Sequence, residues 1–272
     1  MTMTAVPDVS GGLAVRTVRL GKTYTGPRGE VPAVRDLDLQ IADGEFFGLL
    51  GPNGAGKSTT IGMLTTLVIP TSGTALVCGL DVVRQPVEVK RRIGMVSQNN
   101  TLDQDLTAAE NLEFRGRYFG QSRSEARRRA GELLDTFGLT DRSGAMPFEL
   151  SGGQAKRLMI CRALVHRPEV LFLDEPTAGL DPQTRLHLWD MLRALQQDGQ
   201  TILLTTHYME EAEELCDRVA IIDRGRLLAF GTVSELQNET ASAAVVEKVQ
   251  VSEPRPTLEA VFLALTGREY RE

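Results

Sequence analysis

The chain has 272 residues, 42% of them hydrophobic, enough to bury a sizeable core in one large domain or one domain with an insertion. A formal net charge of −6 gives no basic footprint of the kind phosphate-backbone binding needs, which argues against nucleic acid as a partner. Cys78, Cys161 and Cys216 are scattered without metal-ligand spacing; they argue against a disulfide framework, fit a reducing cytosol and read as packing residues. No apolar run approaches the ~20 residues needed to span a bilayer, and the start MTMTAVPDVSGG lacks the regions of a signal peptide. Any membrane role therefore calls for a second chain.

Residues 1–12 read as a flexible leader. LAVRTVRLGKTY alternates apolar and polar residues as a strand does, and VRDLDLQI repeats the pattern after the turn-rich TGPRGEVP, which suggests an antiparallel unit. GEFFGLL, VLFLDE and TILLTTH are short apolar runs bounded by polar turns or helices. They predict parallel strands covered on both faces. From Gln98 to about Pro168 the apolar spacing turns helical in LTAAENLEFRGRYFG, SEARRRAGELLDTFGL and SGGQAKRLMICRALVH, so a helical insertion spans about 99–167. RVAIIDRGRLLAFG reads as a hairpin closed by Asp-Arg-Gly. The main domain then runs over 13–238. In the tail, 239–272, Thr257 is an N-cap candidate before a helical stripe of Leu258, Val261, Phe262 and Leu265. The run Arg123–Arg129 reads as a solvated helix face or a contact for the cytoplasmic leaflet, and Glu210–Glu214 as an exposed acidic face.

The segment Gly51-Pro52-Asn53-Gly54-Ala55-Gly56-Lys57-Ser58, followed by Thr59, fits G-x-x-x-x-G-K-[ST] directly after a predicted strand and at the start of a helix. Small residues let backbone N–H groups wrap phosphates, the helix N-terminus adds positive charge, Lys57 reaches the β/γ-phosphates of ATP and Ser58 can ligate Mg²⁺. Phosphoryl transfer also needs a carboxylate for the metal and a group to orient the attacking water. Asp174 and Glu175, ending VLFLDE, supply both. Two acids at a strand end would otherwise read as a solvated turn; the phosphate loop reverses that preference. Leu150-Ser151-Gly152-Gly153-Gln154 opens another helix, with Ser151 as N-cap. It is either an ordinary capped start or a second anion grip. A second grip would serve the nucleotide of a neighbouring copy in a two-fold dimer.

Over nearly all of residues 13–235 the chain resembles the ATP-binding cassette (ABC) ATPases, with GPNGAGKST, the signature LSGGQ and LFLDEPTAGLD in family order. The resemblance implies an α/β P-loop NTPase fold with a mostly parallel central sheet, an N-terminal antiparallel β subdomain and a helical insertion. It assigns Tyr24 to stacking on adenine, Gln98 to Mg²⁺ and the attacking water, His207 to the γ-phosphate and Asp181 to a loop that aligns the opposite site. His166 and His187 fit no motif and read as structural or surface residues. The resemblance implies a pair of ATPase subunits on a separate membrane permease, with the chain in the cytoplasm, peripheral on the inner face of the membrane; intact motifs at both grips favour a homodimer over a pair with a paralogue. The permease attachment is expected within Asn99–Phe119. The stretch 98–120 and the ending PTLEAVFLALTG look like ATPases that export drugs, polyketide antibiotics or nodulation factors. The alternative is a soluble ABC-type ATPase acting on a ribosomal or other non-membrane partner. That group typically joins two cassettes in one chain, whereas one is present here.

Overall fold

A computed structural model describes residues 12–27, 29–238 and 257–266; residues 1–11 of the expected leader and 239–256 of the tail lie outside the described residues. The first half of the chain forms β1 (Leu13–Gly26), β2 (Gly29–Ala42), β3 (Phe46–Leu50), α1 (Lys57–Leu64), β4 (Ser72–Val77), β5 (Leu80–Asp81), α2 (Pro86–Arg92), β6 (Ile93–Val96), α3 (Ala108–Tyr118) and α4 (Arg123–Thr136). The second half forms α5 (Gly152–Leu164), β7 (Val170–Asp174), α6 (Pro182–Gln197), β8 (Thr201–Thr206), α7 (Met209–Leu215), β9 (Arg218–Asp223) and β10 (Arg226–Thr232). A helical stretch α8 (233–238) follows, and then α9 (Leu258–Thr266).

The strands make two sheets. The order β2-β1-β4-β5 is antiparallel throughout, and β10-β9-β3-β8-β7-β6 is parallel except for the β9–β10 hairpin. The fold is thus α/β, with an antiparallel β unit beside a mostly parallel central sheet and helices around it. The first hairpin is longer than its Gly/Pro content suggested, since pairing continues to Gly26↔Gly29. Pro32 is tolerated because β2 is an edge strand and needs no outward ladder donor. The strand β4 and helix α2 carry no clear period in the sequence; β4 is held as a strand by pairing with β1.

Strand alternation explains the core. Phe46, Leu50, Leu171, Leu173, Ile202, Leu204, Val219 and Ile221 point into one apolar cluster with α3 to α7 and α9. Their neighbours Phe47, Leu49, Val170, Phe172, Leu203, Ala220 and Ile222 point into a second cluster with the antiparallel sheet and α1. A period of two with both faces covered is what makes these runs continuously apolar. Each such Phe or Leu contributes about 1.5–3 kcal/mol by leaving water.

The helices between β6 and β7 begin on side-chain caps. Thr107 with Glu110, Ser122 with Glu125 and Ser151 with Gln154 each form a reciprocal capping box. Along α4 the basic run is largely solvated, although Arg129 is half-buried and donates to the Leu164 carbonyl at 3.5 Å. The tail stripe packs on the chain's own core: Leu258, Val261 and Phe262 are buried there, with Leu265 against them. Among the described residues no helix is long and apolar enough to cross a membrane.

The acidic run at 210–214 corrects the expected exposed face. Glu210 and Glu214 are exposed, but Glu211 is fully buried and accepts from Trp189 Nε1 at 3.0 Å. Glu213 accepts from the Leu258 N–H at 2.6 Å at the start of α9. A seven-residue helix clasped between α6 and α9 has too little free surface to present four acids to water.

Candidate functional site

Four parallel strands deliver the site from their C-terminal ends. After β3, the loop Gly51–Gly56 turns into α1, with Gly56 as N-cap at φ 110°. Lys57, the first residue of α1, is only 4% exposed. Its ammonium donates to the carbonyls of Gly51 at 2.7 Å and Pro52 at 3.2 Å, and lies 3.2 Å from Glu175 Oε1. A buried cation held this way is compensated by three acceptors, which is the condition for its burial.

Glu175 collects the other groups. Its Oε2 accepts from Gln98 Nε2, just past β6, at 3.3 Å, and its Oε1 lies 3.3 Å from His207 Nδ1, just past β8. The Glu175 backbone sits at φ 47°, a left-handed conformation that costs a non-glycine residue of order 1–3 kcal/mol and persists only where the surroundings impose it. Here Thr205 does so, since the Glu175 N–H donates to both the carbonyl and the hydroxyl of Thr205 at 3.1 Å. The same hydroxyl donates to Asp174 Oδ1 at 2.6 Å, and Ser58 Oγ donates to that oxygen at 3.2 Å. One threonine therefore holds both carboxylates.

Ala33, Pro52, Asn53, Gly54, Gly56, Lys57, Ser58, Thr59, Gln98 and Glu175 line a cavity of about 320 Å³. Gly51 and Ala55 shape the loop from behind: the Gly51 N–H reaches the Thr206 carbonyl and the Ala55 carbonyl takes the Gly225 N–H at 2.9 Å. Tyr24 does not line the cavity; it is 42% exposed on β1, with Lys22 Nζ 5.1 Å from its ring centroid. Ser151, Gly152, Gly153 and Gln154 also stand apart from it, at the solvent-facing start of α5. Asp181 caps α6 by accepting from the Thr184 N–H at 2.9 Å, and the Thr184 hydroxyl, together with that N–H, holds its carboxyl below the usual range. His166 is structural, as expected: its ring stacks on Phe119 at 3.8 Å and its Nε2 meets the Ile93 carbonyl at 2.8 Å.

Three residues near the site escaped the sequence reading. Ala33 carried no signal. Thr205 was visible as one of the two threonines that close the strand TILLTT. Lys156 on α5 is buried, reaches the Ser97 carbonyl at 3.4 Å and has its pKa lowered by burial, against the opposing pull of Asp174, Glu175 and Glu211.

The donor set fits a hard divalent cation beside phosphates. Ser58 Oγ and Asp174 are adjacent oxygen donors, and among the described residues no group of three or more His, Cys, Asp or Glu residues is placed to hold a metal ion by itself. Mg²⁺ is typically held by one or two carboxylates plus substrate phosphates and water. The buried ammonium, the cavity-lining loop and the carboxylate pair can bind a polyphosphate and act on its terminal group.

Comparison with known proteins agrees with this chemistry. The protein-family model described as ABC transporter matches residues 34–178. The daunorubicin/doxorubicin resistance ATP-binding protein DrrA of Streptomyces peucetius is 46% identical over 254 residues, covering 93% of this chain and 76% of that protein. The Nod factor export ATP-binding protein I of Cupriavidus pinatubonensis is 39% identical over 312 residues, covering 98% and 94%. Among solved structures, the dimeric post-hydrolysis state of the ATP-binding cassette MJ0796 bound to ADP and Pi is 30% identical with a TM-score of 0.74, covering 80% of this chain and 98% of that one. With the phosphate loop, the carboxylate pair and the signature helix start in one sheet-and-helix frame, the chain belongs to the ABC transporter family as an ATP-binding, ATP-hydrolysing cassette.

Proposed function

We propose that the chain is the motor subunit of an exporter, with Glu175 as the base for ATP hydrolysis. The observation that carries this reading is the convergence of Lys57, Gln98 and His207 on the Glu175 carboxylate, beside the Ser58–Asp174 pair. Lys57 and the loop N–H groups of Asn53, Gly54 and Gly56 bind the β- and γ-phosphates, with Thr59 at the same helix start. Ser58, Asp174 and Gln98 would hold Mg²⁺, which when bound neutralises charge on the β- and γ-phosphate oxygens. A γ-phosphate offered to Lys57 competes with Glu175 for the ammonium, so substrate binding frees that carboxylate. Glu175 then takes a proton from a water that Gln98 orients, the water oxygen bonds to the γ-phosphorus, and the bond to the ADP oxygen breaks. His207 donates to the γ-phosphate as charge shifts. Tyr24 offers a face for adenine.

Two copies are proposed to close head to tail on two Mg-ATP molecules, each copy presenting Ser151, Gly152, Gly153 and Gln154 to its partner's γ-phosphate and Asp181 to the partner's site. The dimeric cassette structure with ADP and Pi supports this arrangement by likeness. Hydrolysis removes the bridging phosphate and the pair opens, which moves a separate membrane permease held on the cytoplasmic side. Asn99–Phe119 is the proposed attachment; Phe114 and Tyr118 stand 63% and 73% exposed there, one helical turn apart. Names of relatives in drug resistance and Nod factor export support an outward-moving, drug-like cargo. Glu175→Gln is expected to lower ATP turnover by about 100-fold or more while keeping ATP binding. The same variant, purified from native membranes with Mg-ATP, should bring down a multi-span protein. Unchanged turnover removes Glu175 from the chemistry, and ribosomal proteins in place of a permease overturn the exporter.

A further inference from the structure

Glu211 is the most completely buried acid beside the site. It sits on α7 with no exposed surface, its Oε1 accepts from Trp189 Nε1 of α6 at 3.0 Å, and its Oε2 has no partner. The hydroxyls of Thr177 and Thr206 face this carboxyl, as do Arg185 of α6 and Lys156 of α5. Thr177 Oγ1 is likewise buried without a partner. These two threonines are placed tellingly. Thr177 follows Glu175 by two residues, in a turn whose Ala178 N–H donates to the Glu175 carbonyl at 3.3 Å. Thr206 directly precedes His207.

We infer that Glu211 is a positioning residue for hydrolysis: its carboxyl is the joint between the turn that carries Glu175 and the strand end that carries His207. Burial pushes this group above the ordinary Glu range, opposed by Thr206, Thr177 and Trp189 and by the charge of Arg185. Protonated, it has one O–H to give and Thr177 Oγ1 has an acceptor site free, so the two orphaned atoms satisfy each other. The joint then sets how far the carboxylate stands from the imidazole without touching substrate. A misplacement of that order lowers the rate while leaving nucleotide binding at Lys57 intact.

This inference rests on Glu175 and His207 carrying hydrolysis, so Glu175→Gln is measured alongside. The test compares steady-state Mg-ATP turnover of the full chain with Glu211→Gln, Glu211→Leu and Thr177→Val. Leu and Val are expected to lower kcat by about tenfold or more with KM within about twofold. Gln can still accept from Trp189 and donate toward Thr177, so it should stay within about threefold of the parent kcat. Parental kcat in both Glu211→Leu and Thr177→Val, with turnover lost in Glu175→Gln, overturns the joint and leaves the site reading intact. A Gln variant as slow as Leu also overturns it, because the side chain would then be needed as a charge. Should Glu211→Leu fail to fold, Thr177→Val removes one hydroxyl from the same joint, and parental kcat there overturns the inference by itself.

Discussion

His166 shows how one side chain's partners fix its protonation. Nε2 is taken by the Ile93 carbonyl and Nδ1 is buried with no partner, so a second proton on the ring would be a donor with nowhere to go. Burial accordingly lowers its pKa from 6.5, with the Ile93 carbonyl opposing and nearby Arg115 adding to the shift. A depressed folded pKa means that the unfolded chain binds more protons below about pH 6.5. Stability present above that pH should fall as pH drops toward the folded value, by at most about 1.4 kcal/mol per unit. His166→Gln, which keeps a donor for Ile93, should flatten that part of a urea-midpoint profile; a ring that titrates at or above 6.5 by NMR would contradict it. At this scale the motif residues were legible because phosphate binding demands particular side chains at particular offsets. Thr205 and Glu211 were less so, since their roles come from neighbours about 30 and 22 positions away in sequence. Glu211 in particular hid within a charge run whose usual place is the surface.

Among the elements, α5 and α6 meet at Gly153. A Cβ placed there would lie 2.3 Å from Thr184 Cγ2, and Thr184 is fixed one turn into α6, where Asp181 caps its N–H. Gly153→Ala should therefore push the two helix starts apart and destabilise the fold by about 1–3 kcal/mol, read as a lowered thermal midpoint. Adding Thr184→Ser removes the clashing methyl and should recover most of the loss; a double variant no better than the single one would mean that the clash is not the cause. Helices α3, α4 and α5 could be read from spacing because each buries one apolar stripe and starts on a Ser or Thr cap. The strand β4 could not, since SGTALV has no period of its own and becomes a strand through pairing with β1. The tail helix α9 was legible as a stripe, while its docking place beside Glu213 was not.

For the whole molecule, the alternation of the central strands decides where chemistry happens. With both sheet faces buried, the C-terminal strand ends are where polar side chains can gather, and β3, β6, β7 and β8 each lead to a candidate site residue at or just past their ends, Gly51, Gln98, Asp174 and His207. A ligand bound by groups from four strands stabilises all of them together. Mg-ATP at about 100 times its dissociation constant should add about 2.7 kcal/mol to the unfolding free energy, seen as a raised thermal midpoint. Lys57→Met should abolish most of that shift while unfolding near the unliganded parent. An undiminished shift would place the phosphates elsewhere.

The turn at Arg224 and Gly225, which closes the β9–β10 hairpin, ties two distant parts of the chain to one residue. The Gly225 N–H reaches the Ala55 carbonyl at 2.9 Å and its carbonyl takes the Arg35 N–H at 2.7 Å. A Cβ at Gly225, where φ is 75°, would stand 2.6 Å from the Ala33 carbonyl. Gly225 therefore works as a polar rivet between the antiparallel sheet and the back of the phosphate loop, beside the apolar cluster that packs the same sheet on α1. Sliding of one against the other would have to break both of its bonds, so the loop is braced by a residue some 170 positions downstream of it.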